Sequence, residues 1–305
     1  MKSYLLCTLP RSGSWLLADL LEQTDLAGRP EEYFRPDHRV QWSKEWGIPV
    51  KGPYSQYIAA ALEHATTANG VFGVKLHWYQ FEWFTGELRS LPGGDPGACA
   101  EAVVEQWLPH PHYIYLYRDD TVRQAISYYR ATYSDQWFHL AEEDEGTGEG
   151  RFIRPIPMPD EPDWGHVRYL ENAVIDHDRR WTEFFNSSGV VPLEICYEEM
   201  AESCEKTLRD VFGFLGIPLD PDMTLPQPRL KKQADEETER LVKEYLVHRD
   251  HVEPRPFNLR DQRQTIVPQR FGGQPRQGSG GQGNRRPGNR GQGNPQLHNQ
   301  LPQLP

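Results

Sequence analysis

Residues 8–15, TLPRSGSW, constrain the fold of this chain more than any other stretch. An apolar run, Tyr4-Leu5-Leu6-Cys7, precedes them and reads as a buried strand. Leu16, Leu17, Leu20 and Leu21 follow at the spacing of one helix face. The segment is therefore strand, tight turn, helix. Gly13 allows close backbone approach, and the Ser12 and Ser14 hydroxyls and the first helical amides are expected to converge on whatever sits there. Unpaired N–H groups at the positive end of a helix dipole hold a phosphate or sulfate, and Arg11 adds a permanent charge with a fork of donors. The plain alternative is an ordinary strand–turn–helix with a serine cap. GxxxxGK[ST] does not occur, so the lysine and the magnesium-binding hydroxyl of a Walker A loop are missing from their places. Such a loop suits a nucleotide whose chemistry needs no metal.

Short apolar runs separated by helical patterns continue along the chain. Strands are predicted at residues 4–8, 70–76, 113–117 and 190–196, and helices at 14–23, 56–65, 121–133, 167–186, 200–215 and 236–248. This alternation predicts an α/β fold with a parallel sheet covered on both faces. Ligands of such sheets sit at the carboxyl ends of the strands, which directs attention to the loops after Thr8, Leu76, Tyr117 and Cys196. A body of residues 1–252 is followed by a tail, 253–305. Beyond Phe271 the tail is Gly, Gln, Asn, Pro and Arg with few apolar residues. Such a stretch cannot offset its chain entropy by burial and is predicted to be largely disordered. Gln264-Thr265-Ile266-Val267 is a candidate arm onto the body, and the acidic, Gly-rich stretch 142–150 reads as a surface loop or lid.

Charge is unevenly placed. From residue 251 onward eight arginines face Glu253 and Asp261, a balance of +6 within a total of −11, so the body carries −17. An acidic body argues against general nucleic-acid binding, and any anionic ligand needs a local basic cluster working against the overall field. No run approaches the ~20 apolar residues of a membrane span, and the apolar part of MKSYLLC is too short for a signal-peptide core. Four cysteines without CxxC spacing indicate neither zinc nor a redox motif and fit a reduced, cytoplasmic setting. Nine tryptophans, 14 tyrosines and 12 phenylalanines suit flat-walled pockets for sugars or bases, although core packing uses the same residues.

Three further stretches carry candidate chemistry. Arg118 ends the third strand, Thr121-Val122-Arg123-Gln124 has the form of a capping box, and Ser127 falls on a different face from Ile126. Arg118 and Ser127 are placed to hold a second phosphate; the alternative is a surface bridge from Arg118 to Asp119 or Asp120. In AGRPEEYFRPD, residues 27–37, Pro30 extends the chain ahead of Glu31 and Glu32. A carboxylate there can serve as general base for an attacking hydroxyl, or the pair is simply solvated. In GVKLHWYQ, residues 73–80, Lys75 and His77 are expected to point outward, with His77 a second candidate base or a structural histidine.

Taken together, TLPRSGSWLLADLL, GRPEEYF, GVKLHWYQ, YLYRDDTVRQAISYYRA, ICYEEM and LKKQAD, in this order, resemble the bacterial sulfotransferases that use 3′-phosphoadenosine-5′-phosphosulfate (PAPS), typified by trehalose 2-sulfotransferase. The resemblance covers most of residues 4–245, and the tail has no counterpart in it. It implies a P-loop nucleotide-kinase-like α/β fold and transfer of a sulfuryl group by in-line displacement, without a metal, to a hydroxyl of trehalose or a related sugar or glycolipid. Arg11, Ser12, Gly13, Ser14 and Trp15 would hold the 5′-phosphosulfate, with Arg11 where more distant sulfotransferases place a lysine that steadies the leaving oxygen. Arg118 and Ser127 would bind the 3′-phosphate. Lys232 and Gln233 would lie near the nucleotide, Lys232 replacing an arginine of the family string. Glu32 falls where trehalose-type enzymes carry a carboxylate base, whereas Lys75-Leu76-His77 has the KxH form in which eukaryotic sulfotransferases use a histidine, and the trehalose-type pattern has methionine there. The resemblance also implies a homodimer, and the arginine-rich tail suits acidic partners. Two rivals remain: a P-loop kinase-like enzyme acting on ATP, and a non-enzymatic sugar- or partner-binding protein.

Overall fold

Side-chain alternation along four strands decides the layers. In β1 (Lys2–Thr8), Leu5 and Cys7 face one apolar cluster while Tyr4 and Leu6 face another. In β3 (His112–Tyr117), Tyr113 and Tyr115 divide from Ile114 and Leu116 in the same way. With a period of two and both faces apolar, such strands must be covered on both sides. The computed structural model describes residues 1–108, 110–134, 157–220, 222–229 and 235–256. The acidic stretch 142–150, Lys232, Gln233, the candidate arm and the tail beyond residue 256 lie outside them.

Among the described residues, β1 and β3 join β2 (Val71–His77) and β4 (Leu193–Cys196) in one sheet of order β2-β1-β3-β4. Every pairing is parallel, as the βα alternation predicts. The register sets Thr8 opposite His77 on one side and Leu116 on the other, and Tyr117 opposite Cys196. The carboxyl ends of all four strands therefore form one edge. α3 (Tyr54–Ala65), α4 (Trp78–Arg89), α5 (Ala100–Trp107) and α7 (Trp164–Ser188) bury their apolar faces on the Leu5/Cys7 side. α1 (Ser14–Gln23), α8 (Tyr197–Glu202) and α9 (Cys204–Leu215) cover the Tyr4/Leu6 side. α6 (Thr121–Ser134) and α10 (Glu236–His248) pack with α7. A short α2 (Arg39–Glu45) follows a 3-10 turn.

The sequence reading differs from this in specific ways. α2, α4 and α5 were not anticipated. α4 buries Phe81, Phe84 and Leu88, a helical spacing that its many aromatics obscure. The single helix expected over residues 200–215 is two, because Ser203 has φ −147° and ψ 75°, outside the helical range. β4 begins at Leu193 rather than 190, since Pro192 has no N–H to give a ladder and Val191 is exposed. α7 starts where the Asp163 carboxylate accepts from the His166 amide at 3.1 Å and ends at Gly189 in the left-handed region. Inside it, Glu171 is fully buried and accepts from Arg168, Arg249 and the Tyr245 hydroxyl, which joins α7 to α10. All four cysteines carry free thiols, and no described helix is long and apolar enough to cross a membrane.

The approach of β1 to β2 leaves no room beside Tyr4. A Cβ on Gly73 would lie 2.5 Å from the Tyr4 ring, and the Tyr4 hydroxyl donates to the Ala27 carbonyl at 2.7 Å. Gly73→Ala is expected to displace Tyr4 and cost about 1–3 kcal/mol, in the range of overpacked cores. Urea unfolding would read this as a lower midpoint at unchanged slope; an unchanged midpoint contradicts it.

Candidate active site

The loop between β1 and α1 is held from three sides. The Gln124 amide, on α6, donates to the Pro10 carbonyl at 2.7 Å, and the Trp181 indole N–H, on α7, to the Thr8 carbonyl at 3.2 Å. Within the loop the Ser12 hydroxyl donates to the Leu9 carbonyl at 2.8 Å and shares a 2.6 Å hydrogen bond with the Thr8 hydroxyl. Ser12 is fully buried, so its hydroxyl braces the turn instead of facing a ligand as expected. Nor is there a serine cap: the N-cap of α1 is Gly13, with no side-chain bond. What the loop presents is backbone, the first amides of α1, which have no partner inside the helix. Arg11 at φ 63° and Gly13 at φ 83° both occupy the left-handed region. For a non-glycine residue that is a cost of order 1–3 kcal/mol, of the kind kept at binding turns. Gly13 is also sterically required, because a Cβ there would sit 2.4 Å from the Tyr197 ring.

Arg11 brings Ser127 and Arg118 together at the loop. Arg11 Nε donates to Ser127 Oγ at 3.0 Å, and Arg118 Nη1 donates to the Arg11 carbonyl at 3.4 Å. The Arg118 guanidinium lies 4.7 Å over the Tyr197 ring, so Tyr197 supports both Gly13 and Arg118. Burial, then the nearby charge of Arg118, lowers the Arg11 pKa to about 10, which leaves it cationic at neutral pH. The ion-pair partner of Arg118 is Glu198, at 3.3 Å, rather than Asp119 or Asp120. The capping box is corrected too. The Asp120 carboxylate accepts from the Arg123 amide at 2.8 Å and caps α6, while Gln124 reaches across to Pro10. Asp119, Cys196 and Glu198 bring ligand-type atoms within 4.8 Å of one another, but Glu198 already serves Arg118.

Glu32 lies over the end of β2. The Lys75 amide donates to the Glu31 carbonyl at 3.1 Å, and Glu31 bridges to Val74 in parallel, so the segment after Pro30 is clipped to the strand edge. This buries Glu32 at 4% exposure among four nitrogen-bearing side chains, of which Gln80 donates a hydrogen bond. Lys75 Nζ and His77 Nε2 approach Oε1 at 3.3 and 3.6 Å. Gln80 Nε2 and Arg35 Nη1 approach Oε2 at 2.6 and 3.6 Å. Lys75 and His77 share a face of β2, as period two requires, but it is the inward face: Lys75 is 0% exposed. Its Nζ stands 3.4 Å over the Trp15 ring. Burial pushes the Glu32 carboxyl up, but Lys75 first and then His77 outweigh it and hold the group well below the usual carboxylate range. In the neighbouring Glu31 burial prevails over Lys75, with help from Glu32, and the carboxyl rises to about 7. Two adjacent carboxylates are thus pushed apart, the usual arrangement of acid–base sites. Tyr128 on α6 links the two clusters: burial raises its hydroxyl to about 12, and the charges of Arg35, Glu32 and Arg11 all reach it.

Gln80, Arg35, Gln124, Tyr197 and Glu198 are site residues that sequence reasoning did not assign. Gln80 alone had a local signal, three residues after the helix N-cap His77, whose amide donates to Gln80 Oε1 at 2.9 Å.

Against known proteins, the profile of the Stf0 sulphotransferase family matches residues 3–248. Trehalose 2-sulfotransferase of Mycolicibacterium smegmatis is 26% identical over 267 residues, 80% of this chain and 94% of the relative. Its counterpart in Mycobacterium tuberculosis is 25% identical over 269 residues with the same coverage. Among solved structures, the sulfotransferase domain of the curacin biosynthetic pathway is 15% identical with a TM-score of 0.44, covering 84% of this chain and 99% of that one. That of the Synechococcus olefin synthase is 12% identical with a TM-score of 0.40, covering 80% of this chain and 94% of that one.

The carboxylate pair has a pH signature. Glu32, depressed in the fold, contributes stability that is present above the unfolded value of about 4.3 and lost as pH falls through its folded value. Glu31, raised to about 7, acts oppositely: its charge weakens the fold as pH climbs from about 4.3 to 7. Denaturant unfolding across pH should show a Glu32→Gln deficit that is constant near neutrality and shrinks below about pH 4.3. Glu31→Gln should gain on the wild type between about pH 4.3 and 7. A Glu32→Gln deficit that persists unchanged in acid contradicts the assignment.

Proposed function

The chain belongs to the Stf0 sulphotransferase family, and from that premise we propose that it moves a sulfuryl group from PAPS to a hydroxyl of a carbohydrate, trehalose or a related sugar or glycolipid. The observation that carries the reading is the placement of an ionised, buried Glu32 at the strand edge that also bears the anion loop. The residues present suit the donor. The amides of Gly13, Ser14 and Trp15 and the Arg11 guanidinium suit its 5′-phosphosulfate. Arg118 and Ser127, hydrogen-bonded to Arg11 on its carbonyl and its guanidinium, suit the 3′-phosphate beside it. Lys232 and Gln233, outside the described residues, are assigned a nucleotide contact by the resemblance alone. The donor supplies an activated sulfuryl group whose leaving oxygen gains negative charge.

Glu32 accepts the proton of the attacking hydroxyl. His77, with Nε2 3.6 Å from Glu32 Oε1, stands beside it as the alternative base. Arg11 and the loop amides meet the charge that grows on the departing oxygen, where preorganised donors are worth most. Four free thiols accord with a cytoplasmic setting.

Purified protein incubated with labelled PAPS, with and without trehalose, tests the reaction by mass spectrometry of the products. Arg11→Ala is expected to lower turnover by about 10²–10³. Glu32→Gln should lower it by about 10²–10⁴ while leaving affinity for adenosine 3′,5′-bisphosphate intact. Should His77→Ala abolish turnover while Glu32→Gln does not, Glu32 is not the base. Should neither PAPS nor the bisphosphate bind, the donor assignment fails.

A further inference from the structure

Lys75 is the least expected side chain of the sheet. It lies mid-strand on the face covered by α1, in register with Leu6, and is 0% exposed. An ammonium taken out of water costs several kcal/mol even after relaxation, and buried lysines commonly give up their proton instead. Two groups stand against this one: the Trp15 ring 3.4 Å from Nζ and Glu32 Oε1 at 3.3 Å. Nζ makes no hydrogen bond among the described residues; its contact with Glu32 is an ion pair. Its two neighbours belong to different halves of the site. Trp15 is the second residue of α1, at the anion-binding end, and Glu32 sits on the segment clipped to β2.

We propose that Lys75 is a positioning residue that does not touch substrate: gripped between Trp15 and Glu32, it holds the Glu32 carboxylate in place and ties it to the helix that forms the anion site. The clamp follows from the packing alone; its importance for turnover rests on the sulfotransfer reading. A hydrophobic side chain would fill the same place at lower cost in desolvation, so the charge is kept for what it does to Glu32. Other charged or titratable groups also face that carboxylate. Arg35, His38 and Glu31 come from its own segment, His77 from β2, Tyr79 from α4 and Tyr128 from α6. His177 of α7 faces His77 on the far side. Of the cations, Lys75 alone is wholly buried and adjoins both Glu32 and the loop.

The test is Lys75→Met, similar in length and without charge. The Glu32 carboxylate is followed by infrared difference spectra against pH, the wild type against Glu32→Gln and Lys75→Met against Lys75→Met/Glu32→Gln. The midpoint is expected to rise by about one pH unit or more in Lys75→Met. The acid limb of kcat should move up with it and activity recover toward alkaline pH, with KM for the sugar little changed. An unchanged midpoint in a folded Lys75→Met overturns the proposal. If Lys75→Met alone does not fold, the double variant should, because the stranded carboxylate is gone; a double variant equally unfolded overturns it. A raised midpoint in a protein that transfers no sulfuryl group supports the clamp and removes the sulfotransfer reading.

Discussion

Parallel pairing of β1 with both β2 and β3 is the constraint on which the site depends. With Thr8 opposite both His77 and Leu116, three chain segments leave the sheet at the same level. Each enters a tight connection to a helix: the Arg11 loop to α1, His77 directly to α4, and Arg118 through Asp120 to α6. A slip of one residue would exchange the faces of a strand, moving Lys75 and His77 away from Glu32 and into the layer of Phe72, Val74 and Leu76. The apolar content of both faces excludes that slip, so core packing fixes the geometry of the charged groups at the edge.

Buried charge is used in two places and to different ends. Around Glu171, Arg168, Arg249 and the Tyr245 hydroxyl surround a fully buried carboxylate and join α10 to α7. Around Glu32 stand Lys75, His77 and Arg35 at ion-pair distance and the hydrogen-bonding Gln80, beside the strand ends where a ligand of such a sheet sits. A buried ion pair is weak support for stability against an apolar replacement. The second cluster is therefore better understood through the carboxylate it keeps ionised. The loop between β1 and α1 follows the same logic. Its strained residues persist because Gln124 and Trp181 hold its carbonyls and Tyr197 fills the space a Cβ at Gly13 would need.

Much of the fold was legible in the chain because its signals are local. The run Tyr4–Cys7, the leucines of α1 and the β-branched and aromatic residues of β3 carry periods that depend only on backbone geometry. The elements missed lacked that clarity. In α4 aromatic residues occupy both faces, and α2 is a short helix whose start follows from a preceding 3-10 turn. Of the candidate site, Arg11, Gly13, Arg118, Ser127, Glu32 and His77 could be named from motif and position. Gln124 and Tyr197, distant in sequence from the loop they hold, had no local mark.

The sequence by itself determined the α/β class, the strand–turn–helix around Gly13 and which residue types stand near it. These follow from side-chain period, from glycine and proline conformational limits and from the fixed charges of arginine. Tertiary structure alone decided how those residues are used. It turned Lys75 inward and set it between Trp15 and Glu32, closed the Ser12 hydroxyl into the loop, and paired Arg118 with Glu198. It also drove the adjacent carboxylates Glu31 and Glu32 to opposite sides of their ordinary titration range. The reason is physical: burial and Coulomb energy depend on distances between segments far apart in the chain, and only the packed sheet sets those distances.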